Sequence, residues 1–516
     1  MLAHRLDLTT GGIRAGSRSS ENLPLGLCSV RYGEDYLHHG HPVQYQILFK
    51  PEKRATLIFG ERVDRRIPFA RSSTVLCIDL EEITRMSLIL AVNAGSSSLK
   101  ISLYQRVIQD PRTPRLLLSS SISSISSPPA KFDFNHAGTT SAQKQEVPSE
   151  SSIHDHETAF VHFLGRLKED ASIDSREIHH ICHRVVHGGD YTEPVIISEQ
   201  SYHHIEKLSD LAPLHNGSAL SVIKTCLKAL PNALSIAFFD TAFHKDLPRH
   251  VSTYAINQEV AKERGLRKYG FHGLSYAFIK RVVARYLNKD EDALNIIALH
   301  IGSGASACAI RAGKSIDTTM GLTPLSGLPG ATRVGDVDAS LIFHYTSESP
   351  SRLSHNSAIA KKVHITRAEE ILNTQAGWNA LTGTTNFGEI TRKADLSAPS
   401  SSTLENPYTL AFHIVLDRVL HYVGAYHLAL RGKVDALVFA GGVGERSEEL
   451  RRAIGEALNY LGYSAINEHV NKGLDHCEGI IVDIGRHDGG KRMLVCRTDE
   501  QLEMARECLL AEEFWS

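Results

Sequence analysis

Four side chains in this sequence stand where an apolar run or a glycine-bounded loop could hold them for chemistry. Arg184 lies inside Ile178–Asp190, IHHICHRVVHGGD, which reads as a short strand ending in two glycines. A guanidinium there is costly unless it meets an anion, either a ligand or a structural partner. Asp240 follows the β-type run Leu234–Phe239 and precedes Thr241 and His244. A carboxylate at the exit of a buried strand suits metal or acid–base work, although ordinary loops begin there too. His272 sits among aromatic rings in KYGFHG, Lys268–Gly273, and Arg333 shares the turn-rich loop Thr323–Asp338 with Asp336 and Asp338.

The elements that must position these groups centre on Leu88–Tyr104, LILAVNAGSSSLKISLY. An apolar run, a Gly/Ser turn and an alternating apolar segment predict a strand, a tight turn and a second strand. Such a turn aims backbone N–H groups and hydroxyls at one place, with Lys100 beside it, and oxyanions bind in concavities of that kind. It is not a Walker loop, because GxxxxGK[ST] and a following helix are both missing. Asn295–Ile310, NIIALHIGSGASACAI, repeats the plan. The echo predicts two related lobes, each with an anion-binding hairpin, gripping a nucleotide between them. Val434–Ser447, VDALVFAGGVGERS, reads as a further strand whose glycines allow close backbone approach, with a helix starting near Ser447.

Elsewhere the spacing predicts helices over Thr158–Lys168 and Tyr408–Leu430, and one following APLHN to Leu230, capped by Asn216 or Ser218 and stopped by Pro231. Leu494–Leu510 reads as a strand, the turn Thr498–Asp499–Glu500 and a closing helix. Ser119–Ser152 and Ser347–Lys362 read as polar surface insertions.

The chain of 516 residues is too long for one core. Apolar content of 42% and charged content of 22% are those of a soluble globular protein. A net charge of −2 excludes a generic nucleic-acid surface, and no run approaches the ~18 apolar residues of a membrane span. The 28 histidines are scattered, and the 8 cysteines form no CxxC, which predicts reduced, mostly buried thiols. Residues 1–85 look unlike the rest and are expected to be a poorly ordered extension or a segment absent from the working protein. Asp7, Glu21 and a weak amphipathic pattern make a poor transit peptide, so a cytoplasmic location is expected, with organellar targeting by residues 1–85 as the alternative.

Taken together, NAGSSSLK, HRVVHGG, APLHNG, FDTAFH, YGFHG, LHIGSGAS, GATRVGDVD, FAGGVGER and the TDE turn occur in the order found in acetate kinases. Residues 86–516 resemble that family. The resemblance implies an α/β, two-lobed actin/hexokinase/Hsp70-like fold, with residues 86–240 as the N-terminal lobe, rejoined by 499–516, and 241–498 as the nucleotide-binding lobe. It also implies reversible transfer between ATP and acetate, giving acetyl phosphate and ADP, by a homodimer. Carried over by motif, Asn93 and Glu500 would hold Mg²⁺, and Ser98 and Lys100 would sit at the nucleotide phosphates. Arg184 and His215 would serve the acyl side, and Val186, Leu214, Phe271 and Pro324 would fit the methyl group. His272 and Arg333 would stabilise the transition state. His300, Ile301, Gly302, Ser303 and Gly304, then Asn386, Phe387 and Gly388, then Gly442, Val443, Gly444, Glu445 and Arg446 would line the nucleotide. Asp240 is the family's catalytic acid. Yet a carboxylate nucleophile is already ionised near pH 7, its pKa being about 4. Asp240 therefore reads as an orienter of metal or substrate rather than a proton abstractor.

Three departures fall on the nucleotide side. Ser303 and Arg446 stand where the family usually has Asn, and Asn386 and Gly388 stand where bacterial relatives typically carry Asp and Arg. They predict a weaker or altered grip on ATP. Alternatives are a propionate or butyrate kinase, or a relative using pyrophosphate. A sugar kinase would not explain HRVVHGG, and an ATP-binding regulator would not need Arg184, His272 and Arg333 together.

Overall fold

The computed structural model describes residues 87–95, 97–107, 112–125, 129–138, 143–146, 153–209, 213–345, 366–397 and 405–515, with four short strands before residue 80. The chain divides into two units, residues 1–86 and 87–516. In the first, β1 (Leu27–Cys28), β2 (Tyr45–Phe49), β3 (Arg54–Phe59) and β4 (Thr74–Asp79) form an antiparallel sheet in sequence order. The expectation of a poorly ordered extension falls mostly outside the described residues.

The second unit holds two sheets. One contains β5 (Leu88–Ala94), β6 (Ser98–Gln105), β7 (Arg115–Ser123), β8 (Lys131–His136), β9 (Gln143–Glu146), β10 (Ile178–Val185), β11 (Val195–Ile196) and β12 (Leu234–Phe239), in the order β11-β12-β10-β5-β6-β7-β8-β9. The other contains β13 (Ile296–Ile301), β14 (Ala305–Arg311), β15 (Lys314–Thr318), β16 (Ala436–Ala440), β17 (Ile481–Asp483) and β18 (Arg492–Cys496), in the order β15-β14-β13-β16-β18-β17. Strand for strand, β7-β6-β5-β10-β12-β11 repeats as β15-β14-β13-β16-β18-β17. Three parallel strands form the middle of each (β5, β10, β12 and β13, β16, β18), flanked by an antiparallel hairpin and an antiparallel edge. The echo in sequence is thus an echo in topology.

Both faces of the central strands are covered, which is why they read as unbroken apolar runs. Leu88, Leu90 and Val92 pack outward with Phe160, Phe163 and Val222, whereas Ile89 and Ala91 pack with Met504, Ala505 and Cys508. Likewise Ile297, Leu299 and Ile301 face Phe412, Val415 and Val419, whereas Ile296 and Ala298 face Tyr276, Phe278 and Ile279. Two helices, Gly273–Tyr286 and Glu500–Leu510, therefore cover the inner faces and pack on each other. Among the described residues no helix is long and apolar enough to cross a membrane.

Two sequence expectations change. Ser119–Ser152 is not simply a surface insertion, since β7, β8 and β9 extend the first sheet through it. Leu118, Ser120 and Ile122 are buried in alternation, as are Phe132 and Phe134, so the serines conceal a period of two. The helix after APLHN begins at Pro213, a residue suited to a first turn, and places Asn216 inside it rather than at the cap. The Ser347–Lys362 insertion lies outside the described residues. The other helices expected from sequence occur at His156–Ala171, Pro407–Ala429 and Glu448–Leu458, the last capped by Ser447.

Candidate active site

The carboxyl ends of the parallel strands are where an open α/β sheet exposes a ligand crevice, and most of the singled-out side chains gather there. Asn93 lies near the end of β5, Arg184 near the end of β10 and His300 near the end of β13, whereas Asp240 follows β12 and Glu500 follows β18. Arg184 joins the first group. Its Nη2 lies 2.7 Å from Asp240 Oδ2 and its Nε 3.2 Å from both carboxylate oxygens. Its Nη1 donates to Glu500 Oε2 at 3.0 Å and to Asn93 Oδ1 at 3.2 Å, and Asn93 Nδ2 donates to Glu500 Oε2 at 2.7 Å.

Asp240 is fully buried. Burial pushes its carboxyl up and Arg184 pulls it back; the bidentate geometry is that of a carboxylate–guanidinium pair. Burial also works against the charge of Glu500, but Arg184, His300 and Lys100 outweigh it and hold that carboxyl below its usual range. Lys100 is exposed on β6 directly opposite Asn93, and Ser98 closes the hairpin turn by accepting from the Gly95 N–H at 2.8 Å.

His272 adopts φ 58°, a left-handed conformation uncommon outside glycine and frequent at functional positions. The next residue explains the need for glycine there. A Cβ on Gly273 would come within 1.8 Å of the Asp240 carbonyl oxygen, so the helix can start against the catalytic segment only without a side chain. His244 secures the loop from below, with Nε2 3.0 Å from the Phe271 carbonyl and Nδ1 2.8 Å from Ser315 Oγ. The rings of His272 and His300 lie 4.3 Å apart. Burial, then His300 and Arg184, hold His272 well below the usual imidazole range, and burial brings His300 down to about 4.

Arg333 approaches the second hairpin so closely that a Cβ on Gly304 would meet its Nη2 at 2.2 Å. It donates to the Pro324 carbonyl at 3.1 Å and has no carboxylate partner among the described residues. Burial, reinforced by Arg184, lowers it to about 10. Beside these cations lies an apolar cluster of Tyr269, Phe271 and Met320, with Val186 and Leu322 packed against it. Asn216 positions its rim by bonding both the N–H and the carbonyl of His187 at 2.9 Å. The side chains of Leu214 and His215 lie outside the described residues.

A separate cavity of about 560 Å³ gathers three distant segments, bringing together Gly302, Ser303, Asn386, Phe387, Gly388, Gly442, Val443 and Arg446. Five residues expected to line the nucleotide do not line it: His300 stacks near His272 and Gly304 packs against Arg333 instead. Ile301 is core, Gly444 is buried against β16, and Glu445 accepts from the backbone at Thr498 and Gly441.

Sequence reading missed Tyr269, Met320 and Leu322 in the apolar cluster, the hydroxyls of Ser275 and Ser306 that bond the two histidines, and the Tyr276 hydroxyl that bonds Ser306. Aromatic and small residues around YGFHG were the available signal for the first group. The second is legible only once β14 is laid against the helix.

Cations converging from two sheets, an apolar cluster and a separate cavity suit an anionic small molecule facing a phosphorylated ligand. A family model described as the acetokinase family matches residues 88–506. The chain belongs to that family. A relative in Emericella nidulans named "Probable acetate kinase" is 50% identical to it over 429 residues, covering 81% of this chain and 97% of that one. Among solved structures, an acetate kinase of Porphyromonas gingivalis matches with a TM-score of 0.66 at 30% identity, covering 82% and 99% of the two chains. A propionate kinase of Francisella tularensis matches with a TM-score of 0.67 at 31% identity and the same coverages. This acetokinase-family chain accordingly has the actin/hexokinase-like fold of that group.

Proposed function

We propose that this chain is an acetate kinase, transferring the terminal phosphoryl group of ATP reversibly to acetate. The observation that carries the reading is Arg184, held by Asp240 and Glu500 two residues from Val186 of the Phe271–Met320 apolar cluster, with Arg333 free of any carboxylate partner among the described residues. An acetate oxygen attacks the γ-phosphorus, the bond from that phosphorus to the β,γ-bridging oxygen breaks, and ADP leaves. No proton need move. Negative charge spread over three equatorial oxygens calls for positioned cations and donors. Arg184, Arg333, Lys100 and His272 supply them, while Asp240 orients Arg184. The cavity formed by Ser303, Asn386 and Gly442 receives the nucleoside.

Asn93, Glu500 and Asp240 offer hard oxygen donors that fit Mg²⁺. Mg²⁺ is commonly held by one or two carboxylates together with substrate phosphates, a part that Glu500 and Asp240 would play. When bound, Mg²⁺ neutralises phosphate charge. We further propose a homodimer in the cytoplasm, residues 86–240 with 499–516 and residues 241–498 acting as its two lobes. The family match favours acetate over propionate, and one extra methylene is discriminated by only ~1–3 kcal/mol.

The test is trapping of acetyl phosphate as hydroxamate by the full chain with Mg²⁺ and acetate, comparing ATP with pyrophosphate. Product with ATP is expected. Product with pyrophosphate alone would transfer the function to another donor, and no product from a folded chain would refute it.

A further inference from the structure

We propose that Tyr276 and Ser306 form a one-way hydroxyl relay fixing His272 as the tautomer protonated on Nε2, so that it meets the transferring phosphoryl group as a neutral hydrogen-bond donor. The inference rests on the phosphoryl-transfer reading for that last step, and on geometry alone for the tautomer.

Tyr276 OH lies 2.5 Å from Ser306 Oγ, and Ser306 Oγ lies 2.8 Å from His272 Nδ1. Tyr276 and Ser306 are both fully buried. A serine hydroxyl has one proton to give and can accept, a tyrosine hydroxyl likewise, and a neutral imidazole gives from one nitrogen and accepts at the other. Three arrangements are conceivable. If both Tyr276 and His272 Nδ1 donate to Ser306, the serine proton has no acceptor. If His272 Nδ1 donates to Ser306 and Ser306 to Tyr276, the tyrosine proton has none. Only when Tyr276 donates to Ser306 and Ser306 donates to Nδ1 does every buried proton find a partner. Leaving one unmet costs roughly 1–3 kcal/mol, enough to choose among them.

The proton of His272 then resides on Nε2. His272 is half-buried, and among the described residues its ring is bonded only through Nδ1, which leaves Nε2 for a ligand. Ser275 repeats the device for the neighbouring ring. Its fully buried hydroxyl lies 2.7 Å from His300 Nδ1 and has no other partner among the described residues, so it too donates. Two imidazoles 4.3 Å apart, close to Arg184 and Arg333, are thereby kept neutral and aligned. Tyr276, Ser306 and Ser275 are positioning residues, and His272 is the group that would touch the reacting oxygens.

The relay is tested on the full chain labelled with ¹⁵N-histidine, reading ring nitrogens by two-bond ¹H–¹⁵N correlation and assigning His272 by its loss in His272→Gln. An unprotonated Nδ1 and a protonated Nε2 are expected in the wild type. In Ser306→Ala that pattern should give way to averaged nitrogen shifts, kcat should fall roughly 10- to 100-fold, and KM for acetate should stay within about threefold. Tyr276→Phe retains the serine but not its direction, and should average the shifts with a smaller loss of kcat. A protonated Nδ1, an imidazolium in the resting protein, or an unchanged pattern in a folded Ser306→Ala would overturn the relay. A wild type with the expected tautomer that makes no acyl phosphate would overturn the donor role and leave the relay standing.

Discussion

Arg281 of the helix Gly273–Tyr286 grips Glu503 of the helix Glu500–Leu510, with Nη2 2.5 Å and Nε 3.0 Å from Oε2 and Glu503 almost wholly buried. The two helices begin at the segments carrying His272 and Glu500, so this pair sets the spacing between groups that approach the substrate from different sheets. Replacing Arg281 with Met leaves a buried carboxylate whose one remaining cationic partner among the described residues is Arg506, 3.5 Å away. The expected loss is about 3 kcal/mol of stability, read by urea denaturation. An unchanged midpoint would show that the pair contributes no net stability.

Asp240→Asn should lower kcat by roughly 100-fold or more, because the guanidinium of Arg184 loses its bidentate anchor. If Asp240 orients rather than abstracts a proton, the drop is uniform from pH 6 to 8. A variant whose pH profile loses one limb would return Asp240 to the role of base.

Glu507 gives a pH signature in stability. Burial, reinforced by Glu503, pushes its carboxyl up to about 7. The folded state therefore holds this proton between about pH 4.5 and 7, where the unfolded chain has released it. Stability should fall as pH rises through that window. Glu507→Gln should remove the slope and be more stable than wild type at pH 8, by on the order of 1–3 kcal/mol. Parallel stability curves for the two proteins would refute the assignment.

On the nucleotide side, Ser303 is exposed on the second hairpin and Arg446 at the rim of the cavity. Restoring both asparagines is expected to lower KM for ATP by about 2- to 10-fold, the worth of one or two hydrogen bonds, with KM for acetate unchanged. An unaltered KM for ATP would mean that these departures are neutral.

The hairpins, the exit of β12 and the glycine turns were legible because short-range rules of strand period and turn chemistry govern them. Asp240, Arg184, His272 and Arg333 were legible as chemistry-bearing residues for the same reason. Their mutual contacts were not, since Asn93 and Glu500 lie at opposite ends of the family region and meet only through the packing of a terminal helix. Ser119–Ser123 misled because hydroxyls can occupy buried strand positions, and Asn216 misled because a good capping residue can instead bond a neighbouring loop. The relay through Ser306 depends on which face of β14 meets a helix, which no local pattern records.

The helix Glu500–Leu510 carries a last consequence, for the order in which the molecule can be made. Ile89, Ala91, Cys182, Ile236 and Phe238 belong to the first sheet, but their apolar cover is Met504, Ala505, Cys508, Leu509 and Phe514. A ribosome releases those strands hundreds of residues before it reaches that cover. The early half of the nascent chain must wait with an open oily face, and a stop codon only a dozen residues early would leave that face open for good.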